Sequence, residues 1–165
     1  MTDYKKEGKI SGRLIIDGNL ILTGDLYVEK EIEVTGCIDC NGYSIKAGGS
    51  IEAGGSIEAG GWIEASGWIE AGGWIKAGGS IKARLGITAF LSITCKGTLN
   101  AGLRIISGVC NWREITDKDR TVTCGKLESG EVVGILKETD VTEVEELTLA
   151  EVCKRLGKTV KIVKE

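Results

Sequence analysis

A six-residue unit repeats from Ser44 to Cys95 and constrains the fold more than any other feature of the chain. Each unit holds an isoleucine followed two positions later by a small residue, usually alanine, and most units end in a pair of glycines. Positions i and i+2 of a strand share a face, so this pair points into a core while the Glu, Lys or Thr between them points to solvent. The glycines permit a tight corner. Short strands joined by corners at this period predict an all-β chain folded as a parallel β-helix.

The repeat extends beyond this stretch in both directions. From Leu14 onwards, bulkier inward pairs keep the same spacing, and the repeat ends at Cys110, which gives sixteen units. The step from Ile38 to Ile45 is seven residues, so a one-residue bulge is predicted at residues 41–43. We therefore assign residues 10–110 to the β-helix.

The charged residues indicate a coil of three sides rather than two. A three-sided coil stacks residues eighteen apart and creates the opposite-charge pairs Lys46–Glu64, Glu64–Lys82 and Glu58–Lys76. Such cross-strand pairs are favourable, although Glu52 then lies beside Glu70. A two-sided coil stacks residues twelve apart and brings more glutamates together, including Glu52 and Glu64. We predict three sides of six residues each and about five coils.

Residues 111–165 lack the repeat and are predicted to form a small α+β segment that caps the solenoid or joins two chains. Thr148 is placed as an N-cap and Gly157 as a C-terminal stop, which together indicate a short helix. The expected elements, in order, are strands at Thr121–Cys124 and Glu131–Leu136 with a turn at Ser129 and Gly130, a helix at about 149–156 and a final strand at Thr159–Val163.

Near Arg84 the glycine corners give way to corners that hold apolar residues. Leu85, Phe90, Leu91 and Leu103 would place apolar side chains along the edges of the solenoid. Exposed apolar patches of this kind mark contact surfaces. We therefore expect either the C-terminal segment or a second subunit to cover them, and we predict a homodimer.

Composition and charge exclude several functions. The net charge of −3 provides no general attraction for nucleic acid, and no run of eighteen apolar residues marks a membrane span. The first ten residues do not resemble a signal peptide, so a cytoplasmic protein is expected. No phosphate-binding glycine motif precedes a helix, and no cofactor is predicted.

Six cysteines require an interpretation, and two of them form the C-x-x-C motif Cys37–Cys40. This motif is typical of half a zinc site or of a redox pair. A second cysteine pair at ligand spacing is missing, and a βαβ setting for a redox pair is missing as well. Cys40 and Cys95 fall on inward positions, where a thiol acts as a small apolar group. We predict structural thiols and no metal site.

Three tryptophans are the first candidate binding residues. Trp62, Trp68 and Trp74 replace serine at the outward position before isoleucine in three successive units, so they encircle one coil. Tryptophan is enriched among the residues that dominate binding at protein interfaces. The alternative is that the C-terminal segment folds back and covers one or two of these rings.

Three glutamates are the second candidate binding residues. With Glu52, the residues Glu58, Glu64 and Glu70 form a series of four outward acids that would mimic the phosphates of DNA. The alternative is an ordinary solvated face, because lysines interrupt the rows of acids.

The sequence also resembles known proteins. The stretch from Ile45 to Trp112, especially SIKARLGITAFLSITCKGTLNAGLRIISGVCNW, resembles small β-helix proteins carried by phages, prophages and mobile elements of Gram-positive anaerobes. The ending TLAEVCKRLGKTVKIVKE is similar to the ending of many short phage-encoded proteins. The repeat also resembles in part that of hexapeptide acyltransferases, whose base is a histidine, but this chain contains no histidine. The resemblance thus implies a fold and a genomic setting, but no activity and no site residue.

Three classes of function follow from these observations. The first is a non-enzymatic binding protein that engages a host protein or ribonucleoprotein complex, with an anti-CRISPR inhibitor of host defence as its most specific form. The second is a structural, self-assembling protein of bactofilin type whose open solenoid ends pair into filaments. The third, an enzyme, fits least well, and we predict that the chain is not one.

Overall fold

The computed structural model describes residues 2–139, which form a parallel β-solenoid of eighteen strands without a helix. The all-β, parallel β-helix predicted from the repeat is therefore confirmed. The strands are β1 (Asp3–Ile10), β2 (Leu14–Ile16), β3 (Asn19–Val28), β4 (Ile32–Val34), β5 (Ile38–Asp39), β6 (Ile45–Ala47), β7 (Ile51–Ala53), β8 (Ile57–Ala59), β9 (Ile63–Ala65), β10 (Ile69–Ala71), β11 (Ile75–Ala77), β12 (Ile81–Ala83), β13 (Ile87–Ala89), β14 (Ile93–Cys95), β15 (Thr98–Ser107), β16 (Thr121–Cys124), β17 (Lys126–Val133) and β18 (Ile135–Glu138).

Each coil has three sides, as the charge pattern predicts. Ile45 pairs with Ile63, and Ile63 pairs with Ile81, so paired residues lie eighteen positions apart. Face A of the solenoid runs through β2, β4, β7, β10 and β13, and face B through β5, β8, β11, β14, β16 and β18. Face C runs through β6, β9 and β12. The long strands β1, β3, β15 and β17 bend around a corner and contribute to two faces each.

The core is a stack of isoleucine layers that follows directly from the six-residue unit. Ile51, Ile57 and Ile63 are fully buried, one on each face, and their alanine partners are buried beside them. Each fully buried isoleucine contributes about 1.5–3 kcal/mol to folding. The bulkier pairs near the N-terminus, such as Leu20 and Leu22, are buried in the same way. The predicted inward positions are confirmed.

The predicted bulge lies at residues 41–43. Ile38 pairs with Ile57, nineteen residues away, whereas the next strand returns to a spacing of eighteen. Asn41 takes up the extra residue with a positive φ of 50°, which asparagine tolerates better than most residues. The amide of Gly60 in the next coil donates to the Asn41 carbonyl at 2.7 Å, so the bulge remains part of the stack.

The parallel ladder continues beyond residue 110, where the sequence predicts the C-terminal segment to begin. β16 stacks on β14 through Val122 and Ile93, and β18 then stacks on β16. Strand β1 also adds to the other end by pairing with β3. Face B consequently carries eight stacked strand segments in the described chain, more than the five coils expected from the repeat.

The predicted elements of the C-terminal segment have different outcomes. The strand at Thr121–Cys124 is confirmed. The strand at Glu131–Leu136 is confirmed only in part: its residues are divided between the end of β17 and the start of β18, because Gly134, with a φ of 152°, separates the two strands. The expected turn is a bend inside β17, where Gly130 has a φ of 115°. The helix at 149–156 and the strand at 159–163 lie outside the described residues.

Candidate binding groove

Three glutamates form a row along the outside of face A. Glu33 pairs with Glu52, and Glu52 pairs with Glu70, so the carboxylates lie on successive coils about 4.8 Å apart. No lysine or arginine within residues 2–139 forms a salt bridge with any of the three. Stacked like charges are unfavourable, so this row holds negative charge that the described chain does not neutralise.

The electrostatics of the row are most evident at its centre. The pKa of Glu52 is raised above its ordinary value, first by partial burial and then by the neighbouring charges of Glu70, Glu33 and Glu31. A cation bound at the row would favour the ionised form and lower this pKa. The glutamate row is therefore more favourable with a cationic ligand bound than when only solvent covers it.

An aromatic wall stands beside the row at the corner between faces A and B. Phe90 lies in the corner after β13, and Trp112 stacks on it with ring centroids 5.3 Å apart and planes at 29°. Trp112 is 57% exposed, so the outer side of its indole is accessible. Of the apolar corners, Phe90 is therefore covered in part from within the chain, whereas Leu85 and Leu103 remain exposed.

The loop that carries Trp112 is fixed by hydrogen bonds. The amide of Cys110 donates to the Phe90 carbonyl at 3.2 Å, which ties the loop to the corner. Arg113 donates through both terminal nitrogens to the carboxylate of Asp119, at 2.7 and 3.0 Å. These bonds, with those from Thr116, lower the pKa of Asp119 to about 2. The wall is therefore a defined part of the surface.

The row and the wall enclose an open groove of about 530 Å³, which we call the glutamate groove. Its principal side chains are Glu33, Glu52, Glu70, Thr88, Phe90 and Trp112. Carboxylates bind cations, and aromatic faces bind apolar groups and cations alike. Within residues 2–139, no group of three or more His, Cys, Asp or Glu side chains has an arrangement that would hold a metal ion. The groove thus has the chemistry of a binding surface for a group that is both cationic and apolar.

The structure does not bring the three predicted tryptophans together. Trp62, Trp68 and Trp74 encircle one coil, each beside a different face, at the starts of β9, β10 and β11. Trp62 and Trp74 are 43% and 45% exposed. Trp68 is half-buried, and a Cβ atom on Gly86 of the next coil would overlap its ring. The three indoles therefore do not form one contact surface.

The predicted glutamates are also distributed over three faces. Glu58 on face B forms an ion pair with Lys76 at 2.6 Å, and Glu64 on face C pairs with Lys46 at 3.0 Å. Only Glu70 lies in the glutamate groove. The sequence-based interpretation missed Glu33 and Trp112 as site residues. The unfavourable pair of Glu52 and Glu70 in the three-sided coil was the available signal for this site.

The cysteines separate into buried and exposed thiols. Cys40 and Cys95 are buried at the predicted inward positions, and burial raises the pKa of each thiol to about 12. Thiols of this kind are apolar and poorly reactive. Cys37 is exposed, and its sulfur accepts a hydrogen bond from the Ser56 amide at 3.4 Å. The two cysteines of the C-x-x-C motif thus have different surroundings.

Comparisons with protein-family models, curated proteins and solved structures find no match for this chain. No helix long and apolar enough to cross a membrane occurs within residues 2–139.

The different burial of the tryptophans gives a first prediction. Replacing Trp68 with serine should lower the free energy of unfolding by about 1 kcal/mol, because the half-buried ring loses its contact with the next coil. The matched change Trp62→Ser should have a smaller effect, since that ring, at 43% exposure, is less buried than Trp68. Urea unfolding followed by circular dichroism measures both. Equal losses in the two variants would contradict the difference in packing.

Proposed function

We propose that this chain is a non-enzymatic, cytoplasmic binding protein that engages a host macromolecule through the glutamate groove. The observation that supports this proposal is the row of three stacked carboxylates beside an exposed indole, without a cationic partner in the described chain. On the other two faces, comparable glutamates are paired with lysines. A row of like charge costs stability, and binding to a cationic surface would offset that cost.

The partner should present a basic surface that also carries an apolar group. Proteins that bind nucleic acid have such surfaces, because lysine and arginine side chains contact the phosphates. A host ribonucleoprotein complex is therefore a suitable class of partner. With the resemblance of the repeat to phage and mobile-element proteins, the most specific form of the proposal is an anti-CRISPR-like inhibitor that occupies a basic channel of a Cas nuclease.

A matched pair of charge reversals tests the groove as the binding surface. The wild-type chain is used to isolate a partner from host lysate, and the purified partner is then titrated with each variant. Glu52→Lys should weaken binding about tenfold, or about 1.4 kcal/mol, because it places a positive charge at the centre of the row. Glu58→Lys makes the same chemical change on face B and should leave the affinity nearly unchanged.

Three results of the titration would contradict the groove as the binding surface. An equal loss in Glu52→Lys and Glu58→Lys would indicate a general electrostatic effect rather than a site. Wild-type affinity in Glu52→Lys would exclude the groove. If Trp62→Ser and Trp74→Ser reduced binding instead, the exposed tryptophans outside the groove would be the contact residues.

The alternative, a self-assembling protein of bactofilin type, has support at one end of the solenoid only. At the C-terminal end of the described chain, Val133, Ile135 and Leu136 are exposed. At the other end, β1 is a charged edge strand, and Lys6 occupies the inward position that pairs with Leu22. Inward charges on an edge strand oppose edge-to-edge association. A filament would require association at both ends of the solenoid, so we favour the binding protein. We also propose that the chain forms a homodimer through the exposed residues Leu85 and Leu103.

A further inference from the structure

The glutamate groove has a candidate occupant in its own chain. The groove offers three carboxylates in a row and one apolar wall, so a complementary segment needs several basic residues interspersed with apolar ones. Residues 153–165, outside the described part of the chain, have this composition. They contain five basic residues and one acid, and the basic residues alternate with Leu156, Val160, Ile162 and Val163.

The point where the described chain ends allows this segment to reach the groove. Thr139 follows β18 at the C-terminal end of face B, and its amide donates to the Cys124 carbonyl at 2.8 Å. On face A, four coil spacings separate Glu52 from Val133 in the last coil, roughly 20 Å in all. The intervening residues 140–152 can span up to about 45 Å when extended, so the connection is long enough to cross a corner as well.

We propose that residues 153–165 dock in the glutamate groove of the same chain. The lysines neutralise Glu33, Glu52 and Glu70, and the aliphatic side chains pack on Trp112. This inference rests on the proposed function in one respect: the docked segment and the external partner are both basic ligands of the same groove. An external partner must then displace the segment, which makes residues 153–165 a competitive strap over the binding surface. Because the segment is covalently attached, its effective concentration at the groove is on the order of millimolar.

Zero-length cross-linking of the intact chain tests the docking directly. A water-soluble carbodiimide joins a lysine amine to a carboxylate that it contacts, forming an amide with loss of water. Mass spectrometry of the digested protein should find Lys158, Lys161 and Lys164 linked to Glu33, Glu52 or Glu70. The yield should fall at 1 M salt, where the Debye length is only about 3 Å.

Two aromatic variants provide matched controls, because neither side chain takes part in the cross-linking reaction. Trp112→Ala removes the apolar wall and should lower the yield of links to the groove about tenfold. Trp62→Ala removes an equally aromatic side chain at the start of face C, at a different corner of the coil, and should leave the yield unchanged. Circular dichroism spectra of both variants should match the wild type, so that a change in yield reports on the groove.

Several outcomes would overturn the inference. Links from these lysines mainly to Asp140, Glu143 or other acids of residues 140–151 would show that the segment pairs locally. Links found only between chains in a mixture of ¹⁴N- and ¹⁵N-labelled protein would identify a second copy as the occupant. An equal yield in Trp112→Ala and in the wild type would exclude the aromatic wall from the contact.

A second measurement separates this inference from the proposed function. Reversing the charges of Lys158, Lys161 and Lys164 to glutamate should strengthen partner binding severalfold if both proposals hold, because the competing segment is removed. Intrachain links to the groove together with wild-type partner affinity in Glu52→Lys would refute the proposed function alone. Loss of partner binding in Glu52→Lys without any intrachain links would refute the strap alone.

Discussion

The Ile63→Asp variant is expected to be unfolded at room temperature under conditions in which the wild-type chain is folded. Ile63 is fully buried at the middle of the stack, between Ile45 of the preceding coil and Ile81 of the following one. Its inward neighbour in the strand is Ala65, so neither the strand nor the two stacked isoleucines offer a polar group to pair with a carboxylate. Burying an unpaired ion costs several kcal/mol, a large part of the roughly 5–15 kcal/mol that stabilises a typical domain.

Two control variants separate burial of charge from loss of volume. Ile63→Val removes one methylene at the same position and should cost about 0.5–1.5 kcal/mol. Thr94→Asp introduces the same carboxylate on the outside of face B, beside Lys76, and should leave stability nearly unchanged. Circular dichroism and urea titration measure all three. A cooperative transition of Ile63→Asp close to that of the wild type would refute the placement of Ile63 in the core.

The fold could be predicted because the repeat specifies both the strands and their register. An isoleucine at every sixth residue places one apolar side chain on each side of every coil, and only a solenoid buries all of them. The number of sides followed from charge, because Lys46–Glu64 and Glu58–Lys76 form only when residues eighteen apart are paired. Local spacing and cross-strand electrostatics therefore agreed, and the structure follows both.

The continuation of the solenoid past residue 110 could not be predicted from spacing. Ile93 pairs with Val122, twenty-nine residues later, because the loop of residues 108–120 lies between the two strands. An insertion of this length hides the periodicity, although the strands on either side are paired as before. The strand expected at Glu131–Leu136 is divided at Gly134 because of the positive φ angle of that glycine, which the sequence does not reveal.

The glutamate groove was only partly visible in the sequence. The pairing of Glu52 with Glu70 follows from the repeat, but Glu33 joins them only because the bulge at Asn41 makes that step nineteen residues. Trp112 belongs to the loop after the repeat, and its contact with Phe90 depends on how that loop folds back. The tryptophans within the repeat, Trp62, Trp68 and Trp74, were more conspicuous in the sequence. They do not form one site, because residues six positions apart lie on different sides of a three-sided coil.

The contact between Trp68 and Gly86 leads to a prediction of strong coupling between two positions. Gly86 occupies the place before isoleucine where most sister units have serine, threonine or tryptophan. A Cβ atom there would overlap the Trp68 ring and would lie 2.9 Å from the carbonyl oxygen of Arg104. Gly86→Ser should therefore lower the free energy of unfolding by about 2 kcal/mol, the usual cost of overpacking a well-packed site.

The double variant Trp68→Ser/Gly86→Ser places serine at both positions and should recover part of this loss, because its two changes together cost less than the sum of the single changes. Removing the indole makes room for the new Cβ atom at position 86. The contact of that atom with the Arg104 carbonyl is present with either tryptophan or serine at position 68, so it cancels in the double-mutant cycle. We expect a coupling energy of about 1–2 kcal/mol from urea unfolding of the four proteins. The matched cycle of Trp62→Ser with Gly86→Ser, whose sites lie beside different faces, should be additive. Additivity of the Trp68 cycle as well would mean that the glycine at position 86 is not required by the tryptophan stacked on it.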